Sequence, residues 1–287
     1  MFPFQKLFFA ALWVSASCSL FAQNLTGKVL NATTREAIAY VNIGIQNKDI
    51  GTLSDESGRY NLSLEKMGAN DTLRFSCIGY KDYVLYAAQK NKWGNTTEIL
   101  MKPQEMTLEE VIIKPRNLKP IVLGNPYKKQ VLQMQAGFAT NDLGSEVGVV
   151  MRFNKKGTGK LEKLHFYISK NEYQSIKFRI NIYSMNKGKP SNSLLHEPLY
   201  ATFDQKSGEM AIDVRHLNLY FEEDVFVALE WLKDLGKEGL MFQANTGTSL
   251  IARKTSQGKW IRIPLDLCFW ADAMYEAPEK NAPKKKK

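Results

Sequence analysis

Apolar side chains recur at every second residue through most of this chain, and a period of two builds strands rather than helices. In DTLRFSC, Leu73, Phe75 and Cys77 share one face while Thr72, Arg74 and Ser76 share the other. AYVNIGI lines up Val41, Ile43 and Ile45. KLHFYIS does the same with Leu164, Phe166 and Ile168, and KFRINIYSM with Phe178, Ile180 and Ile182. EVGVVMRF groups Val147, Val149, Met151 and Phe153, and VLQMQAGF groups Leu132, Met134, Ala136 and Phe138. These segments are short, rich in β-branched and aromatic residues, and separated by Gly, Asn and Asp turns. No long stretch keeps a helical period. The expected fold class is all-β: a small sandwich of about seven strands, then a larger jelly-roll-type β-sandwich of about eight to ten.

The opening MFPFQKLFFAALWVSASCSLFAQ reads as an export signal, with Lys6 ahead of an apolar core from Leu7 to Val14 and cleavage expected after Ala22. A rival reading lipidates Cys18, but Ser15 stands where a lipobox carries Leu or a similar residue. No later segment is apolar for long enough to cross a bilayer as a helix. The expected location is the periplasm or the outer membrane. The expected division is a signal over 1–22, a first β-sandwich over 23–102, and a connector over 103–126. A second sandwich over 127–275 and a basic tail over 276–287 complete it. The connector holds Pro103, Pro115, Pro120 and Pro126 around one strand-like piece, TLEEVIIKP.

The net charge of +10 owes part of its size to the closing EKNAPKKKK. Such a run is a solvated tail, or an attraction for anionic headgroups or envelope polysaccharide. Export and the lack of a recognition motif argue against nucleic acid.

Residues that carry chemistry are sparse. Cys77 and Cys268 lie far apart in apolar runs and are expected as two buried thiols. His165, His196 and His216 are scattered without a ligand set, so no metal and no cofactor is expected. His165 falls on the expected solvent face of its strand. Gly157 and Gly159 in NKKGTGK read as a hairpin turn rather than a phosphate loop, and Glu222, Glu223 and Asp224 as a charged turn before a buried strand. GTLSDESGRYNL likewise reads as a hairpin around Asp55–Gly58, because its acids miss the calcium-loop spacing. Glu230 interrupts DVFVALEWL on the face of Phe226 and Ala228. Its carboxylate needs a partner such as Arg179, which makes a structural role the expectation over a catalytic one. For binding, the candidates are Trp260 and Arg262, expected outward in KWIRIP with Ile261 and Ile263 inward, and Trp93 in the polar loop NKWGN.

An ordered series in the first part is similar to a known family. Gly27 and Val29 are followed by Ala39, Val41 and Ile43, by Gly51-Thr52, Asp55 and Gly58-Arg59-Tyr60, and by Ile78-Gly79-Tyr80. This resembles the carboxypeptidase-regulatory-like domain, over about residues 25 to 102. The resemblance implies a transthyretin-like, Ig-like sandwich with a binding or spacer role. Such domains also occur at the N-terminus of SusC-like, TonB-dependent transporters of Bacteroidetes, and LEEVIIKP looks like the stretch that follows the domain there. About 160 residues remain after it, too few for the transporter barrel and plug. The C-terminal part is similar to a domain of uncharacterised Bacteroidetes proteins and carries no functional residues across.

Three functions remain open. The first is a non-catalytic binding or scaffold protein of the cell envelope, accessory to a TonB-dependent transporter-like protein or an assembly complex. The second is a carbohydrate-binding protein using the second sandwich, with a polysaccharide as ligand. The third is an unrecognised hydrolase.

Overall fold

The computed structural model describes residues 24–93, 96–104, 118–127, 134–137, 142–236 and 239–276. The expected signal, LEEVIIKP and the basic tail beyond Glu276 lie outside the described residues. Strands dominate. In chain order they are β1 (Asn24–Asn31), β2 (Asn42–Ile45), β3 (Gly51–Leu53), β4 (Arg59–Ser63), β5 (Thr72–Ser76), β6 (Tyr83–Tyr86) and β7 (Thr96–Met101). Then come β8 (Leu118–Gly124), β9 (Met134–Ala136), β10 (Glu146–Met151), β11 (Gly159–Asn171), β12 (Ile176–Asn186), β13 (Lys189–Ser193), β14 (Leu199–Phe203) and β15 (Gly208–Asp213). The last are β16 (Tyr220–Phe221), β17 (Val225–Trp231), β18 (Leu240–Thr246), β19 (Leu250–Arg253), β20 (Ile261–Arg262), β21 (Leu265–Leu267) and β22 (Phe269–Glu276).

The first seven strands form two sheets, β4-β1-β7 and β3-β2-β5-β6. Between them Val29, Ile43, Leu62, Leu73, Phe75, Ile99 and Met101 make one core. Alternation delivers it: β4 buries Tyr60 and Leu62 and exposes Arg59, Asn61 and Ser63. The remaining strands form a seven-stranded sheet, β13-β12-β17-β10-β19-β20 with β14 on β12, and an eight-stranded sheet built on β21-β18-β11-β22-β8. Their shared core holds Leu164, Phe166, Phe178, Ile180, Trp231, Phe242 and Phe269. Among the described residues the second sandwich thus has fifteen strands, more than the eight to ten that the pattern suggests, because two- and three-residue strands such as β16 and β21 leave no visible alternation. β8 belongs to this sandwich although it falls inside the expected connector, and Pro120 fits there because β8 is an edge strand.

Two turns differ from expectation in the same way. β3 and β4 lie in different sheets, so Asp55–Gly58 is an arch across the sandwich and not a hairpin. The segment with Gly157 and Gly159 likewise joins β10 of one sheet to β11 of the other. Turn residues bend the chain equally well in both geometries; the sheet that receives the next strand is decided by packing.

β10 and β17 are buried at every residue. A half-covered sheet would alternate, so both faces of these strands are covered. One face meets the second core. The other is covered over Val150, Phe226 and Ala228 by Tyr183, Met185 and Trp260 of the same unit, and at Glu230 by Asn42 of the first sandwich, whose Tyr40 and Leu53 pack nearby with Leu232, Tyr200 and Leu143.

Candidate functional site

The seam between the sandwiches is polar at its centre. Arg179 on β12 faces Glu230 on β17 directly across the ladder. Its Nε donates to Oε2 and its Nη2 to Oε1, both at 2.7 Å, with both side chains buried. Asn181 Nδ2 donates to Oε2 at 2.7 Å. The hydrogen-bond pattern orients the Asn42 amide so that its nitrogen donates to Glu230 Oε1 at 3.0 Å and its oxygen accepts from Arg179 Nη2 at 2.6 Å. Arg179 Nη1 donates to the Tyr40 carbonyl at 2.6 Å, and Tyr40 itself adopts a left-handed φ of 55°. Burial opposes the Arg179 charge, but Glu230 outweighs it and raises the guanidinium pKa.

A second pair lies two strands away. Glu146 on β10 is paired with Arg253 on β19 and accepts from the Tyr183 hydroxyl at 3.1 Å. Burial pushes the Glu146 carboxyl up, while Arg253 pulls it down. The Arg253 guanidinium keeps its proton, so the Glu146 carboxyl has a fixed positive charge beside it. Every strong acceptor in this layer is engaged. Glu230 takes four donors from Arg179, Asn181 and Asn42, so its lone pairs are filled and it has no free oxygen for proton transfer. The expected Glu230–Arg179 partnership is present; its setting between two sandwiches was not anticipated.

Close backbone approach completes the seam. A Cβ on Gly44 would stand 2.5 Å from the Ser256 carbonyl oxygen, and one on Gly51 2.1 Å. Gln257 donates to Ser76 at 2.9 Å, and the Asn47 N–H donates to the Gln257 carbonyl. At the edge of the seam a cleft of about 400 Å³ opens. Ile50, Gly51, Asn61, Leu62 and Ser63 line it from the first sandwich, Leu143 and Lys254 from the second.

The sequence candidates are placed differently from expectation. Trp93 is buried in the first core, 8% exposed, because the loop folds back over the sandwich. Trp260 is half-buried against Phe226 and Tyr183. Its cation is Arg253, whose guanidinium carbon is 4.6 Å from the ring centroid, so the indole roofs the Glu146 pair. Arg262 is exposed, and its guanidinium donates to the carbonyls of Thr248 and Gly188. Ile261 is 40% exposed and not inward, since β20 spans only two residues and Trp260 takes the covered position instead. The structure does not bring Trp93 together with Trp260 and Arg262.

His165 is buried on the outer face of the eight-stranded sheet, not solvent-exposed. Its Nδ1 lies 2.6 Å from Glu209 and its Nε2 3.1 Å from Asp272, and its ring stacks on Trp270 at 4.8 Å. On the same face Tyr127 stacks on Tyr167 at 3.8 Å. Asp224 takes the Phe153 N–H at 2.7 Å, which fits the turn reading of its acidic run. No group of three metal-ligating side chains occurs among the described residues. Cys77 and Cys268 are free thiols; Cys268 is buried, which pushes its thiol up to about 11, and Cys77 is half-buried.

Pattern reading missed Tyr40, Asn42, Glu146, Arg253 and Ser256. Glu146 was open to the argument used for Glu230, because it shares the outer face of β10 with Val150. Asn42 and Ser256 give no such signal, since they meet across 214 positions of sequence.

With the seam in place, the likenesses to known proteins can be set beside it. Residues 25–113 match the model of the CarboxypepD_reg-like domain. The resemblance read from Gly27 to Tyr80 is thereby shown. The regulatory-like domain thus supplies Tyr40, Asn42 and the β3 and β4 edges of the cleft, and the chain beyond it supplies the two ion pairs. No curated protein matches the chain. Among solved structures, the cysteine protease and lectin-like domains of Cwp84, a surface layer associated protein of Clostridium difficile, align at 12% identity and TM-score 0.35. The alignment covers 53% of this chain and 37% of that one, so the chain spans about a third of its length. The infectious bursal disease virus VP2 subviral particle aligns at 8% identity and TM-score 0.25, over 92% of this chain and 66% of that one. Neither likeness bears on function.

Proposed function

We propose that the chain is a non-catalytic binding or scaffold protein of the bacterial cell envelope, accessory to an outer-membrane transporter or assembly complex. The observation that carries this reading is the buried Arg179–Glu230 pair, filled from both the regulatory-like domain and the second sandwich. A carboxylate filled by four donors positions structure and moves no proton. A pair of this kind fixes one domain against the other and so presents a fixed surface to a partner. The CarboxypepD_reg-like match supports an interaction module, and the export signal expected at the N-terminus supports the envelope. Affinity purification from crosslinked envelopes tests the reading: a reproducible membrane-protein partner is expected, and recovery of the protein alone overturns it.

A specific observation favours carbohydrate binding as a second reading. The His165–Trp270 and Tyr127–Tyr167 stacks share one sheet face with the partly exposed carboxylates of Glu209 and Asp272. Rings and acceptors of this kind suit a sugar better than the buried Trp93 or the roofing Trp260 do. A glycan screen with Trp270→Ala as control checks it: binding lost in the variant supports this face, and binding unchanged removes it.

A further inference from the structure

We propose that the seam cleft binds an extended peptide segment of a partner protein, which adds as a strand to the free edge of β4. The proposal rests on the binding-module reading above and names the kind of partner.

β4 is the edge of its sheet and pairs with β1 alone. The Val29 N–H donates to the Gly58 carbonyl, which fixes the phase of the ladder. Backbone groups of Tyr60 and Leu62 therefore point to β1, and those of Arg59, Asn61 and Ser63 point away. The arch takes up Arg59, whose N–H donates to Asp55 Oδ1 at 2.8 Å and whose carbonyl accepts from the Asp55 N–H. Among the described residues, no backbone bond reaches the outward groups of Asn61 and Ser63. Their outward N–H and C=O groups face the cleft, which both residues line. β3 is the edge of the facing sheet and brings Gly51 to the same cleft.

An added strand matches this arrangement in three respects. Its backbone supplies donors and acceptors at the two-residue spacing of Asn61 and Ser63. Leu143 gives the cleft an apolar seat for one side chain. Around it stand Asp49, Glu65 and Asp142 against Lys66 and Lys254, three acids to two bases. None of the five forms an ion pair among the described residues. The excess of acid favours a basic residue beside the apolar one.

The test uses the whole chain and a phage-displayed library of random peptides. Enrichment of peptides with an apolar residue and a neighbouring basic residue is expected on the wild type. Ser63→Pro removes one outward N–H without touching the β1 ladder, and it should weaken the enriched peptides about tenfold or more. N-methylation at alternate residues of an enriched peptide should weaken binding similarly with the protein unchanged, which covers a misfolded variant. No enrichment, or binding indifferent to both changes, overturns the proposal. An envelope partner retained equally by wild type and Ser63→Pro would leave the binding-module reading standing and remove this one.

Discussion

Glu230 holds two bonds from Arg179 and one each from Asn181 and Asn42, so its removal strands a buried guanidinium. Glu230→Ala should lower unfolding free energy by about 3–5 kcal/mol, read from the denaturant midpoint. Arg179→Met with Glu230→Leu should cost much less, because neither charge is then left alone. Asp55 makes a smaller, pH-dependent contribution. Against a burial penalty, the N–H groups of Arg59 and Ser57 and the Ser57 hydroxyl hold its carboxyl below the usual range. A depressed folded pKa stabilises above the unfolded value of about 3.9 and is lost as pH falls through the folded one. Asp55→Ala should therefore cost roughly 1 kcal/mol at neutral pH, a gap that closes on acidification below about pH 4 in a series of urea melts. At this scale the sequence was informative where polarity broke a pattern. Glu230 stood out in an apolar run and called for an arginine. Trp93 and Trp260 misled because an indole in a polar stretch looks exposed whenever the chain that folds over it is distant.

Elements were legible as strands and obscure as neighbours. Alternation in β5, β11 and β12 announced each strand and its buried face, because period two is a local property. Pairing is not local: the turn at Asp55–Gly58 supports an arch or a hairpin with the same residues, and only the cores choose. The uninterrupted burial of β10 and β17 is the element-scale mark of a second covered face, roofed by Trp260 over Phe226 and Ala228 and by the first sandwich at Glu230. Gly51 in β3 makes that cover tight. A side chain there would collide with the Ser256 backbone, so Gly51→Val should part the sandwiches while leaving both cores folded. Limited proteolysis should show faster cleavage between the two units, with strand content by circular dichroism unchanged.

At the scale of the molecule, two sandwiches with separate cores share a seam whose centre is charged and whose rim is apolar. A seam of this kind favours one orientation, since a shifted interface would strip the buried Arg179–Glu230 pair of the Tyr40 carbonyl and the Asn42 amide. The cleft at its edge then has fixed walls, as a binding module requires. Differential scanning calorimetry of the wild type beside Glu230→Ala tests this coupling most directly. The account predicts one cooperative transition for the wild type, and in the variant a split or broadened profile as the sandwiches melt separately. Two independent transitions in the wild type, with neither moved by the loss of Glu230, would contradict it.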